Sequence, residues 1–222
     1  MKSPAHFVAY KNREVEETPA MRFGTAVHMA ILEPSQFEEK YRMTENRRNT
    51  KAYKAEVEQY PDATFLSKSE VKSIREITFN FKLNPSAFKL VANCTKYEEE
   101  VEGTINDVPF RGFVDGWNQK AKYCIDIKTT SDASPDAFTK SVYNFGYHLQ
   151  AAIYKELTGC KDFYIIAIEN KPPHTSVVYK LSEGFLDSGF AMLHKGISKW
   201  KEWDGNWRGY DNDTLGMLPW MK

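Results

Sequence analysis

Strand-like runs fill residues 97–130 and are broken twice, at Asn106-Asp107 and at Asn118-Gln119-Lys120, as tight hairpin turns would break them. Three adjacent antiparallel strands are predicted. In the third, a period of two puts Cys124, Asp126 and Lys128 on one face and Tyr123, Ile125 and Ile127 on the other. Upstream, Ser3-Pro4 opens a short helix over residues 5–11, and Pro19 opens a more apolar one. The positions Phe23, Val27, Ala30 and Ile31 trace its stripe, and Pro34 ends it. Ser67 caps a helix running to about Lys82, with Val71, Ile74, Ile77, Phe79 and Phe81 as core material. Asn84-Pro85 stops it, and residues 86–93 form a shorter helix with Phe88 and Val91 inward.

Downstream of the hairpins, Ser134-Pro135 starts a helix, Gly146 interrupts, and residues 147–158 form another that Gly159 ends. The apolar run 162–169 predicts a buried central strand, Pro172-Pro173 breaks it, and 175–181 returns as a further strand. A last helix, from about Glu183 to Trp203, carries Leu186, Phe190, Leu193, Ile197 and Trp200 at helical spacing, a packing face. The aromatic tail holds Trp207, Tyr210 and Trp220. This order predicts an α/β fold, a central mixed β-sheet flanked by α-helices. It predicts one domain over 1–222: a mainly helical part to 95, a sheet core over 96–182, then the C-terminal helix and tail.

Composition changes the picture little. With 222 residues, 41% of them hydrophobic, the chain can bury a real core. Thirty basic residues offset thirty acidic ones, so no global basic field advertises nucleic acid, and only local clusters could bind it. Cys94, Cys124 and Cys160 are an odd, scattered set, which predicts a reducing cytoplasm and leaves no four-cysteine set for an iron–sulfur cluster. No run approaches the length of a membrane span, so a soluble protein is expected, with no membrane partner. The stretch 45–60 is polar and locally basic at Arg47, Arg48, Lys51 and Lys54. It reads either as a solvated face or as a mobile strip closing on nucleic-acid backbone, with Tyr53 available to stack.

Chemistry enters at the hairpins. Asp115 is read as closing the second strand, so that a short connection lets its carboxylate and that of Asp126 reach one point beside Lys128. Two carboxylates and an ammonium there suit a divalent metal and an anionic substrate. Strict alternation groups Glu98, Glu100 and Glu102 on one face, which reads as an ordinary charged edge. Gln150 and Tyr154, four apart, share a helix face, which reads as a rim packing on the sheet. Arg22 is read as meeting a phosphate or pairing with an acid among residues 14–17.

Asp115, a spacer and Asp126-Ile127-Lys128 resemble the D…(D/E)-x-K signature of the PD-(D/E)xK nuclease superfamily, with Val114 where the name-giving proline would stand. The order of His28 on a helix, Asp115, Asp126-x-Lys128 and Gln150-x-x-x-Tyr154 is similar to the RecB-like branch. The runs Ser3-Pro4-Ala5-His6-Phe7, Thr18 to Thr25 and Leu218-Pro219-Trp220 resemble phage-type RecE exonucleases. The resemblance implies Asp115, Asp126 and Lys128 as catalytic residues, and His28, Asp115, Asp126 and the Ile127 carbonyl as ligands of Mg²⁺, with Mn²⁺ as substitute. By the same resemblance to RecB-like nucleases Glu100 would be a further metal-holding acid, and Gln150, Tyr154, Arg22, Arg47 and Arg48 would contact substrate. Lys128 would act as a cation at the water and scissile phosphate, or as a general base. Its two acidic neighbours favour the cation. The implied activity is 5′ to 3′ degradation of linear double-stranded DNA, leaving 3′ overhangs for a single-strand annealing protein, by a homo-oligomeric ring. An endonuclease of the same fold and a non-catalytic DNA-binding module are the alternatives.

Overall fold

The computed structural model of the protein describes residues 3–13 and 17–206. In chain order the elements are α1 (Pro4–Lys11), α2 (Pro19–Leu32), α3 (Pro34–Lys40), β1 (Tyr41–Thr44), α4 (Lys51–Gln59), β2 (Thr64–Ser67), α5 (Lys68–Leu83), α6 (Pro85–Ala92), β3 (Lys96–Ile105), β4 (Val108–Asn118), β5 (Tyr123–Thr130), α7 (Pro135–Asn144), α8 (Tyr147–Thr158), β6 (Asp162–Glu169), β7 (Ser176–Lys180) and α9 (Glu183–Lys201). The chain divides into two compact units, Glu16–His194 and the pairing of Met1–Val15 with Lys195–Lys222. In the smaller unit Phe7 meets Trp200 edge to face at 5.6 Å, and Trp200 lies 5.6 Å from Trp203. Trp207, Tyr210 and Trp220 lie outside the described residues.

The larger unit is built on a five-stranded mixed sheet of order β3-β4-β5-β6-β7. The two hairpins make β3, β4 and β5 antiparallel neighbours. Helices α7 and α8 then carry the chain over one face, so β6 runs parallel to β5 before β7 returns antiparallel. Such a strand pair is covered on both faces, and alternate residues of β5 serve two cores. Ile125 and Ile127 join Val27 of α2, Ile77 of α5 and Val91 of α6 on one side. Cys124 joins Phe138 of α7, Ala151 of α8 and Phe163 of β6 on the other. Burying a side chain of this size contributes roughly 1.5–3 kcal/mol, which makes the sheet a stiff platform for whatever β5 projects.

Caps account for where the helices start. Ser67 and Glu70 satisfy each other's backbone amides in a capping box at α5, and the Asn84 carboxamide accepts from Ser86 and Ala87 at α6. Gly146 and Gly159 bound α8 with left-handed backbone, as their lack of a Cβ permits. Two expected core residues point outward: Phe79 is 62% exposed and Phe88 47%. The buried face of α5 runs Ile74, Ile77, Phe81, at steps of three and four, and Phe79 falls on the opposite side. The polar stretch 45–60 takes the solvated-face reading: it holds α4, none of whose residues is buried. β1 and β2 pair in parallel from Tyr41↔Thr64 to Thr44↔Ser67, and α4 bridges them with Glu56 holding Thr44 and Asn46. Tyr53 is not free to stack, because it packs against Phe65 at 5.7 Å.

Candidate active site

The site grows from a place where β4 leaves β5. Their ladder ends at Gly116↔Ile125, although both strands continue. Beyond that rung the Ile127 amide has no β4 carbonyl, and the Asp115 carboxylate takes it, Oδ2 accepting at 2.6 Å. Asp115 therefore lies inside β4 rather than at its end, a correction to the sequence reading. The Ile127 carbonyl faces the same gap and meets His28 Nε2 at 2.5 Å, while His28 Nε2 is 3.3 Å from Asp115 Oδ2. His28 is carried there by α2, whose Gly24 lets the helix approach β5; a Cβ at Gly24 would lie 3.3 Å from Thr129 Oγ1.

A second break in β3 and β4 adds an acid that alternation hides. Tyr97↔Gly116 and Glu99↔Val114 are rungs of one unslipped register, which sets Glu98 across from Asp115, yet those two do not form a rung. Tyr97 packs with the α2 side core and a Cβ at Gly116 would strike Ile125 of that core, whereas Val114 belongs to the opposite core. Both strands thus change phase at this point, and Glu98 takes a left-handed φ of 45°. A non-glycine residue in that region costs about 1–3 kcal/mol and is found preferentially at functional sites. Its result is that Glu98 Oε1 reaches 3.6 Å from His28 Nδ1. Glu100, the acid singled out from the sequence, pairs instead with Arg111 at 3.0 Å on an exposed strand.

Donor atoms of His28, Glu98 and Asp115 all lie within 4.8 Å of one another. Asp126 and Lys128 are adjacent on the α8 side. Lys128 Nζ sits 2.9 Å from Asp126 Oδ1 and 2.8 Å from Oδ2, and Gln150 Nε2 donates to Oδ1 at 2.9 Å. Asp126 is 1% exposed, and its Oδ2 makes no hydrogen bond among the described residues beyond the ion pair with Lys128. Gln150 is thus engaged with a carboxylate. Tyr154 lies over β4, where a Cβ at Gly112 would come within 2.7 Å of its ring. Arg22 pairs with Glu70 at 3.5 Å, and its buried Nε has no hydrogen-bond partner among the described residues; of the acids expected to hold it, Glu14 and Glu16 lie outside them. Arg22, Arg47 and Arg48 do meet, around a cavity of about 830 Å³ that Lys68, Lys72 and the cap residue Ser67 also line.

The electrostatics follow from burying acids together. Burial lowers the basicity of His28, but Asp115, Glu98, the Ile127 carbonyl and Asp126 outweigh it and raise the pKa to about 9. Burial and the Asp126 charge push Asp115 up to about 7, against the opposing pull of His28 and Lys128. Burial works against the Lys128 ammonium as well, yet Asp126 and Asp115 hold its pKa above the ordinary lysine value, so it is a fixed cation. Carboxylates, a backbone carbonyl and an imidazole form an oxygen-rich donor set that fits a divalent metal.

A mixed α/β sheet whose adjacent strands bring an aspartate, then Asp-x-Lys, to one place defines the PD-(D/E)xK class of nuclease-like domains. The chain belongs to the family described as "PDDEXK-like domain of unknown function (DUF3799)", whose model matches residues 1–206. Members of the superfamily generally use divalent metals, which the donor cluster accommodates. No curated protein matches the chain in sequence. Among solved structures, the fold is similar to that of a protein from Eubacterium rectale described as a "putative exonuclease", with a TM-score of 0.62 and 14% identity over 86% of this chain and 70% of that one. A "phage related exonuclease" from Haemophilus somnus 129PT aligns over 80% of this chain and 92% of that one at 14% identity, but with a TM-score of 0.38 the match supports no comparison of detail. No helix among the described residues is long and apolar enough to cross a membrane.

Proposed function

We propose that the protein is a divalent-metal-dependent deoxyribonuclease that hydrolyses linear double-stranded DNA from its ends. The observation that carries the reading is the meeting, in one gap between β4 and β5, of groups from α2, β3, β4 and β5 that are distant in sequence. His28, Glu98, Asp115, Asp126 and the Ile127 carbonyl would hold Mg²⁺, with Mn²⁺ as a substitute. When bound, the ion supplies an acidified water and charge neutralisation at the phosphoryl oxygens. Lys128 adds a permanent positive charge where the anionic transition state develops, and Gln150 and Asp115 fix the carboxylate and strand that position it. The raised pKa of Lys128 favours this electrostatic role over that of a base. Arg47 and Arg48 would meet DNA phosphates at a cavity where basic side chains outnumber acidic ones, beside Arg22 and Lys68, which pair with Glu70 and Glu45.

Removal of the 5′ strand, a 3′ overhang passed to a single-strand annealing protein, and a ring of subunits are carried by the resemblance to RecE exonucleases. The test is digestion of end-labelled linear duplex beside closed circular DNA. With Mg²⁺, linear DNA is expected to lose nucleotides while circles survive. EDTA or Asp126→Ala should stop the release. Digestion that persists in EDTA, or an Asp126→Ala variant as active as the parent, would overturn the proposal, and cut circles would make it an endonuclease.

A further inference from the structure

The corner between α7 and α8 carries an apolar ring that packing does not explain. Phe145 is 71% exposed, yet its backbone is fixed: its amide donates to Ser141 O at 3.0 Å, and that of Gly146 donates to Tyr143 O at 3.2 Å. Single exposed apolar side chains are ordinary. This one is the outer end of a stack that starts in the core. Phe138, 2% exposed, lies 6.2 Å from the half-buried Tyr147, and Tyr147 lies 5.7 Å from Phe145 with the planes tilted by 28°. The same Tyr147 ring faces the site, with Lys128 Nζ 5.0 Å from its centroid. A rigid aromatic shelf is therefore joined, through one ring, to the cation beside Asp126.

We infer that Phe145 is a base-stacking platform, holding an unpaired nucleobase of the strand being cut while that nucleotide's phosphate meets Lys128. The chemistry fits an unpaired base and not an internal base pair, whose faces are covered by its neighbours in the duplex. Every base offers a π face, so the platform is indifferent to sequence, and stacking of this kind changes binding by about five- to a hundredfold per base. The centre would then accept a frayed or single-stranded end in preference to a closed duplex. The inference rests on the nuclease reading above, and it adds to it which form of the strand is engaged.

Phe145→Ala, Phe145→Trp and the parent protein would be compared on two DNA ends, one intact and one carrying abasic residues in the terminal unpaired positions. On the intact end Phe145→Ala is expected to raise KM about tenfold with kcat little changed, and Phe145→Trp to restore it. On the abasic end parent and Phe145→Ala should be equal. Because Phe145 is exposed, the Tm of the alanine variant should match that of the parent. A Phe145→Ala variant that cuts like the parent, or that loses equally on both ends, overturns the inference. Quenching of a terminal 2-aminopurine on binding gives a readout independent of cleavage. Phe145-dependent quenching without cutting would keep the platform and sink the nuclease reading, whereas cutting without Phe145-dependent quenching would do the reverse.

Discussion

Among the described residues the Lys128 ammonium meets one acid and one aromatic face, which decides what its loss should do. Its contacts are the two oxygens of Asp126 and the Tyr147 ring. On the proposed mechanism Lys128→Ala would remove a transition-state charge while leaving the cavity lined by Arg22, Arg47 and Arg48 untouched. Cleavage should fall by about a hundredfold or more, with DNA affinity within a few-fold of the parent by anisotropy. Equal loss of both would mean Lys128 is a binding residue. The side-by-side placement of Asp126 and Lys128 was legible because β5 obeys its alternation. The approach of Glu98 to His28 was not, because strict alternation grouped Glu98 with Glu100 and Glu102 on one face, whereas the backbone breaks phase at Glu98. A break of this kind leaves no compositional trace: Tyr97-Glu98-Glu99 reads as ordinary strand. Gln150 was visible as a site-facing residue, but not that its partner is Asp126.

Among the elements, α8 and α9 meet at a contact set by one glycine. A Cβ at Gly189 would lie 2.2 Å from the His148 carbonyl oxygen, on backbone that cannot swing away, and 3.2 Å from the Ala152 Cβ. Gly189→Ala should therefore destabilise the protein by about 2–3 kcal/mol despite the better helix propensity of alanine, lowering Tm by about 5 °C or more. Gly196→Ala, with nothing within 4 Å of the new methyl, should leave Tm unchanged or raise it slightly. Equal effects would show that the α8–α9 approach is not as close as described. The helices themselves were readable from caps and stripes, since Ser67, Asn84 and Gly159 act locally. The pairing of β1 with β2 was not, for four-residue strands separated by a polar helix carry no periodicity of their own.

For the whole molecule, the metal-free protein should lose stability as pH rises. His28 at about 9 and Asp115 at about 7 both stand above their unfolded values, so the native state holds these protons more tightly than the unfolded chain does. That stabilisation is complete below the unfolded pKa values and is lost as pH climbs through about 7 and then 9. In EDTA, the Tm advantage of the parent over His28→Gln and Asp115→Asn should shrink between pH 5 and pH 9. An advantage that grows would contradict the burial of these acids together. A zero net charge says nothing of local distribution: five basic side chains and two acidic ones line the cavity at Arg22.

The account depends most on a divalent ion being held between β3, β4 and β5. Titration of Mn²⁺ into the protein, followed by the loss of the free-ion electron paramagnetic resonance signal, measures that directly. The prediction is saturable binding that weakens about tenfold or more in Glu98→Gln and in Asp115→Asn, with Glu100→Gln binding like the parent. Binding that is absent in the parent, or indifferent to Glu98 and Asp115, would contradict it.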